Sequence, residues 1–395
     1  MSTLLPLKTK KKYKPAKLRI YFSFSSEGYG HSSRALAVAK RFSDDELVLG
    51  TYSYAYEKIK SYSFPSIRLQ QEIKLMGSDG SFDVGKTIIR SHSQALTYNQ
   101  IIQQEIDVIE AYEPTCVVAD GRMAPVLAAD IIGLPCIVVT NQSAFYPFFE
   151  KDSALIKIFG KSFDWVMKTW LSSAEELLIP DFPPPHTVCL PNLSSNIKVM
   201  KRQKFIGPLV AWKRSEIEIC ERESTRPYVI VTLGGHAYRR PLFDAMLSVA
   251  NKLKDIDFDI FTSFEAKSIP SNVTLRGLVP SIASYYKAAS LIITQAGHST
   301  AMEILTLGKP ALVVPDKKQI EQENNARRLC ELGVATQMKY DELSVNNLAQ
   351  RIKMMLESSC YSEAAENMAQ IAEKIDGTKQ AEMVLRDYST RLMAY

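Results

Sequence analysis

The sequence predicts an α/β protein of two doubly wound domains that face each other across a cleft. Strand, glycine loop and helix follow one another near the start of the chain, and the same alternation returns in its second half. The 395 residues also exceed one ordinary core and suggest two domains of roughly 150 to 200 residues each.

The elements follow in order. LRIYFSF (18–24) is a short β-rich run bounded by polar residues and glycine, and reads as a strand. SSEGYGH follows it, then SSRALAVAKRF, whose Ala, Leu and Val spacing is helical, with Ser32 or Ser33 as the expected cap. CVVA (116–119), DGRMAPVLAADIIG and LPCIVVT (134–140) repeat the strand, helix, strand order, which favours a parallel sheet covered by helices. Residues 154–179 are expected to form an aromatic, lysine-bearing helix, whereas IPDFPPP (179–185) cannot be helical and is expected as a rigid surface loop.

Between Pro191 and Lys204, Pro, Asn and Ser replace periodic patterning, so the first domain is expected to span 18–198 and the second 199–360. Strands of the second domain are expected at 228–233, 258–262, 290–294, 311–315 and 334–338, with Gly308 and Gly333 as helix stops. The segment 361–395 is helical by pattern and is placed to pack back across the first domain.

Apolar content of 46% with 23% charged residues is ordinary for a globular protein. The net charge of +5 is concentrated: residues 1–19 carry seven Lys and Arg and no acid, and subtracting these leaves −2 for the remainder. Residues 1–17 are therefore read as a solvated basic tail, with weak contact to anionic lipid headgroups as the alternative. The body is not basic, and no nucleic-acid partner is expected. Six widely scattered cysteines form no CxxC pair and read as buried reduced thiols of a cytosolic protein. The apolar stretch Leu18 to Phe24 is too short for a signal peptide and lacks a small-residue cleavage site. No segment approaches about 18 continuous apolar residues. The expected location is the cytoplasm, with association at the inner face of the membrane as a further possibility.

In open parallel sheets, ligands bind beyond the carboxyl ends of strands. Three turns there have distinctive chemistry: SSEGYGH, LGGH and QAGHST. In TQAGHSTAMEIL the strand ends at Thr294, Gly297 allows close backbone approach, and Ser299 and Thr300 start a helix. The free N–H groups and positive dipole end of that helix suit a diphosphate. Glu303, one turn inside, is near enough to accept hydrogen bonds from ribose hydroxyls. A glycine turn alone is as well explained by structure. Its continuation, GKPALVVPDKKQIEQENNA, adds a strand and a polar stretch, with Glu321, Gln322 and Asn325 aimed at the same face.

Gly297, Ser299, Thr300, Glu303, Gly308, Pro310 and Glu321-Gln322-x-x-Asn325-Ala326 together resemble the nucleotide-binding half of the GT-B glycosyltransferases, especially families 28 and 1. That resemblance implies two Rossmann-like domains facing a cleft. It implies that Glu303 holds the ribose, Ser299 and Thr300 the phosphates, and Glu321 with Gln322 the hydroxyls of the transferred sugar. Asn325 would line the loop, the backbone at Val279 would meet the base edge, and Gly234 and Gly235 would form a second phosphate-side loop, followed by His236 as a further phosphate contact. His298 stands where plant family 1 enzymes carry a Trp near the site, and is counted among the donor-binding residues. Gln295 stands where they carry a phosphate-contacting His, and uracil is the expected base.

Glu27-Gly28-Tyr29-Gly30-His31 resembles the glycine-rich acceptor-side loop of the same families, which ends in histidine. His31 is the candidate general base, because an imidazole titrates near neutral pH; a ligand-positioning or helix-capping histidine is the alternative. Asp120 is the candidate partner that orients it, as in family 1, against a simple turn or cap aspartate. Asp255, Asp257 and Asp259 are read as a solvated strand start rather than a metal site, and His92, His186 and His236 have no metal spacing. No metal or cofactor is expected beyond the nucleotide-sugar co-substrate, since helix ends and side chains neutralise the departing diphosphate in this fold. Phe159, Phe163, Trp165, Met167 and Trp170, set among lysines, either dock on their own domain or rest on a membrane and help capture a lipid acceptor.

The expected activity is inverting, metal-independent transfer of a sugar from a nucleoside diphosphate, a UDP-sugar, to a hydroxyl of a glycan, lipid-linked or glycolipid acceptor. A UDP-sugar 2-epimerase of the same fold is one alternative, although the extra cleft acids it needs are not apparent. A non-catalytic subunit that binds sugar nucleotide or glycan is the other.

Overall fold

A computed structural model describes residues 17–72, 77, 78, 80–82, 98–151, 153–234, 236–277, 279 and 281–394. The basic tail up to residue 16, His92 and Gly235 lie outside the described residues.

Strands β1 (Ile20–Phe24), β2 (Leu47–Thr51) and β3 (Ser66–Arg68) open the chain, and β4 (Gly77–Ser78) pairs with β5 (Ser81–Phe82) in a separate antiparallel hairpin. With β6 (Cys116–Asp120), β7 (Cys136–Val139), β8 (Glu176–Ile179) and β9 (Gln203–Phe205), the first sheet has the order β3-β2-β1-β6-β7-β8-β9. The second sheet comprises β10 (Tyr228–Gly234), β11 (Asp257–Thr262), β12 (Val273–Arg276), β13 (Leu291–Thr294), β14 (Ala311–Val313) and β15 (Ala335–Gln337), in the order β12-β11-β10-β13-β14-β15. Every pairing within the two large sheets is parallel.

Helices cover both faces of each sheet, which is why the central strands read as continuous apolar runs: all five residues of β1 and of β6 are buried. Strand order reverses between β1 and β6 and again between β10 and β13. Loops leaving these four strands diverge to opposite faces and open a crevice at each carboxyl edge. One face of the first sheet packs against the Gly30–Ala39 helix and, through Ala381, Val384 and Leu385, against the Gly377–Ala394 helix. In the second domain, the His298–Leu307 and Ser359–Ala372 helices share one core, and the Arg240–Lys252 and Val345–Glu357 helices the other.

The C-terminal segment therefore divides. Its first helix stays on the second domain through Ala365, Met368 and Ala369, and its second crosses to the first domain. Arg386 with Glu46 (3.0 Å) and Arg41 with Glu382 (2.9 Å) fasten it there. The crossing point is tight: a Cβ on Gly377 would run into the carbonyl oxygen of Pro208. β9 belongs to the first sheet, and Ile206 and Leu209 to the first core, so that unit extends beyond residue 198. A three-residue Gln-Lys-Phe edge strand carries no periodic signal.

Several local expectations need correction. The first helix begins at Gly30 with Tyr29 as N-cap, and the Ser32 and Ser33 hydroxyls donate to the Tyr29 carbonyl rather than accept from free N–H groups. IPDFPPP is not a surface loop throughout, because Asp181 and Phe182 are fully buried. Asp259 is not solvated: it is buried, accepts from the Tyr228 hydroxyl at 2.7 Å and pairs with Arg276. Gly308 and Gly333 do sit at helix ends in the left-handed region, with φ of +68° and +75°. All six cysteines are free, and Cys360 is exposed. Among the described residues no helix is long and apolar enough to cross a membrane.

Candidate active site

The first-domain side of the cleft is built by sheet register. Phe24, the last residue of β1, pairs with Asp120, the last residue of β6, so the loop after β1 passes over the Asp120 side chain. Gly28 turns that loop with φ +78°, and His31 enters the first turn of the helix. His31 Nδ1 lies 2.7 Å from Asp120 Oδ1; the imidazole is 24% exposed, whereas the carboxylate is buried. Gly121 makes room for the ring: it has φ +69°, and a Cβ there would stand 2.6 Å from His31 Cε1. Burial alone would raise the Asp120 carboxyl, but the Arg34 guanidinium and His31 outweigh it and bring it down to about 2. Glu27 accepts from the Gln71 amide at 2.7 Å at the edge of the loop.

The second-domain side faces it. Gly297 caps the His298–Leu307 helix, whose first turn contains no acid. A Cβ on Gly30 would lie 2.6 Å from Ser299 Oγ, so the starts of the two helices meet across the cleft. Thr300 stands near the buried Tyr286 hydroxyl. Glu303 is half-buried, and burial pushes its carboxyl up to about 7, with Lys58 of the opposite domain pulling the other way. β10 ends at Gly234, φ +60°, which sits over Arg239 Nη1. His236 stacks on Tyr238 with ring centroids 5.1 Å apart, and burial, aided by Arg239, lowers it to about 4. Val279 is half-buried against the second-domain core.

The polar stretch 321–325 is committed to neighbours. Glu321 Oε1 accepts from Asn141 at 2.9 Å, and Asn325 donates to the Ala296 carbonyl at 3.0 Å and accepts from Asn192 at 3.0 Å. Gln322 is turned to Asp316, accepting from its N–H at 2.8 Å and donating to its carboxylate at 3.2 Å. His298, 3% exposed, points away from the helix start, with Nε2 3.0 Å from Asp181 Oδ2. Asp181, Cys189 and His298 cluster within 4.8 Å. Asp181 already accepts the N–H groups of Phe182, Val188 and Cys189, so the trio binds the loop after β8 to the start of the donor-side helix.

The family model "Glycosyltransferase family 28 C-terminal domain" matches residues 248–381. An uncharacterised glycosyltransferase of Methanosarcina acetivorans is 30% identical over 379 residues, covering 94% of this chain and 96% of that protein. The chain belongs to the GT-B glycosyltransferases of the family 28 type. This glycosyltransferase also resembles the UDP-N-acetylglucosamine--N-acetylmuramyl-(pentapeptide) pyrophosphoryl-undecaprenol N-acetylglucosamine transferase of Thermosipho africanus. Identity there is 26% over 157 residues, 38% of this chain and 46% of the relative. Its fold matches the solved spinosyn forosaminyltransferase SpnP with a TM-score of 0.68 at 14% identity, over 95% of this chain and 100% of that one.

Sequence reasoning missed several residues that hold the glycosyltransferase site together. Arg239 pairs with Asp316 at 2.6 Å beneath the Gly234 turn, and Arg34 grips Asp120. Arg34 had a legible signal, since it follows His31 by three residues and so shares its helix face. Asp316 had a weaker one, at the carboxyl end of the VVP run. Asn141, Asp181 and Asn192 sit on irregular loops, where no period announces which residues turn inward.

Proposed function

We propose that this glycosyltransferase moves a sugar, with inversion and without a metal, from a UDP-sugar to a hydroxyl of a lipid-linked or glycolipid acceptor. The observation that carries the proposal is the His31–Asp120 pair, 2.7 Å apart, set opposite Ser299 at a free helix start. With its Nδ1–H given to Asp120, the neutral imidazole has Nε2 free to take a proton. The acceptor hydroxyl loses its proton to Nε2 as its oxygen attacks the anomeric carbon. The bond to the diphosphate breaks, its electron pair leaves with the phosphate oxygen, and Asp120 stabilises the imidazolium. The start of the His298–Leu307 helix and the Gly234 turn meet the charge that develops on the diphosphate, and Glu303 takes the ribose hydroxyls.

The Thermosipho relative supports both finer choices, since its name describes a UDP-sugar donor and a pyrophosphoryl-undecaprenol acceptor. A surface feature adds to the lipid choice. Leu155, Ile158 and Trp165 on the Ala154–Leu171 helix are 81%, 64% and 68% exposed, and Lys157 and Lys161 flank them. An apolar ridge beside cations suits an anionic bilayer surface.

A thermal-shift panel of UDP, GDP, TDP and their sugars tests the donor; UDP and UDP-sugars are expected to raise the melting temperature. No stabilisation by any nucleotide removes the proposal. Release of UDP only when an acceptor is present then separates transfer from epimerisation.

A further inference from the structure

Arg34 lies one helical turn beyond His31 and is 4% exposed. A guanidinium withdrawn this far from water needs partners for its charge and its N–H groups, and Arg34 has two sets facing opposite ways. Nε and Nη2 grip both oxygens of Asp120, at 3.0 and 2.7 Å, and Nη2 also stands 3.0 Å from His31 Nδ1. Nη1 donates to Asn141 Oδ1 at 3.1 Å. Asn141, 8% exposed on the loop after β7, sends its amide nitrogen across the domain boundary to Glu321 Oε1 at 2.9 Å. Chemistry sets its orientation: arginine only donates and an ionised carboxylate only accepts, so the amide oxygen faces Arg34 and the nitrogen faces Glu321.

We propose that Arg34 is a positioning residue which, through Asn141, couples His31 on the acceptor side to Glu321 on the donor side. The coupling gains its functional meaning from the reading above, in which His31 is the base and Glu321 meets the transferred sugar. The charged and titratable groups facing Arg34 are His31 from its own helix, Asp120 from β6, Glu321 from the Ile320–Glu331 helix and the Cys189 thiol from the loop after β8. Glu321 offsets part of the guanidinium charge through the Asn141 amide. Sugar hydroxyls that draw Glu321 away leave more of that charge facing His31. An imidazolium beside an arginine is disfavoured, so the contacts that Glu321 makes are felt at His31 through Arg34.

The test needs no knowledge of sugar or acceptor. Histidines of the full chain are labelled with ¹⁵N, the His31 signal is assigned by its loss in His31→Gln, and its titration midpoint is followed in variants. Arg34→Met is expected to raise the midpoint by about one pH unit, because Asp120 then faces the imidazole alone. Arg34→Lys, which keeps the charge without the fork, is expected to restore most of that shift. Glu321→Gln is expected to lower the midpoint by roughly half a pH unit, and to do so more strongly while Asn141 holds Glu321 in place. The double variant Asn141→Ala/Glu321→Gln should therefore differ from Asn141→Ala by less than Glu321→Gln differs from the wild type. An unchanged midpoint in folded Arg34→Met overturns the proposal. So does a Glu321→Gln shift of equal size with and without Asn141, and this arm stands even if Arg34→Met does not fold. Failure of the functional reading looks different: His31→Gln retains sugar transfer while the coupling among His31, Arg34 and Glu321 persists.

Discussion

Asp120 and Glu303 are carboxyls moved in opposite directions by what surrounds them. Asp120 is held down to about 2 against the burial that opposes it, by Arg34 and His31, so its stabilising contribution is complete above the ordinary value of 3.8 and is lost as pH falls through about 2. Glu303 is raised by burial to about 7 from 4.5, which makes it a liability: the folded state retains a proton the unfolded chain has released, and stability falls as pH rises from 4.5 through 7. Glu303→Gln is therefore expected to melt above the wild type at pH 8, with the gap closing below pH 4.5, while UDP binding weakens. Melting curves at the two pH values with a UDP titration check this, and an equal gap at both would refute it. His31→Gln is expected to cost about 10²- to 10⁴-fold in turnover with UDP affinity unchanged, a split that steady-state kinetics and calorimetry read directly.

At the scale of elements, the His298–Leu307 helix is the one whose end matters most. It is capped by Gly297 without a side-chain hydrogen bond, has no acid in its first turn, and stops at Gly308. Its first N–H groups thus meet no carboxylate of the helix's own first turn. Ser299→Asp is expected to favour the helix itself by about 0.3 to 1 kcal/mol while weakening UDP binding at least about tenfold through repulsion of the diphosphate. Calorimetry and thermal melts would show the two effects with opposite signs; tighter UDP binding would exclude this end as the anion site. β1, β6, β10 and β13 were legible because strands buried on both faces are apolar throughout. β9, at a sheet edge, was not, because a short edge strand needs no such run.

At the scale of the molecule, the two domains meet along a seam that is apolar where Phe182 and Val188 enter the second-domain core and polar beside them. Asn192 to Asn325 at 3.0 Å, His298 to Asp181 at 3.0 Å, Asn141 to Glu321 at 2.9 Å and Arg328 to the Thr187 carbonyl at 3.0 Å all cross it. The first domain also carries the exposed ridge of the Ala154–Leu171 helix, whose inner face buries Gly160, Asp164, Met167 and Leu171. Trp165→Glu with Leu155→Glu is expected to abolish sedimentation with anionic liposomes without lowering the melting temperature, because neither side chain supports the core. Sedimentation that persists would assign the ridge another use.

The chain's own residues already determined the doubly wound class and marked the segment from Gly297 to Ala326 as the expected donor motif, because strand burial and turn geometry leave local marks. Asp120 was a candidate from its place at a strand end, yet its contact with His31 across 89 residues depends on β1 lying beside β6. Only the tertiary structure decided that Gln322 supports Asp316, that His298 turns to Asp181, and that Arg34 and Asn141 join the two halves of the site. Those choices depend on which buried donors find acceptors after the sheets pack. Each buried polar group must be satisfied by whatever the fold brings within about 3 Å, and partners far apart in the chain carry no local signal of one another.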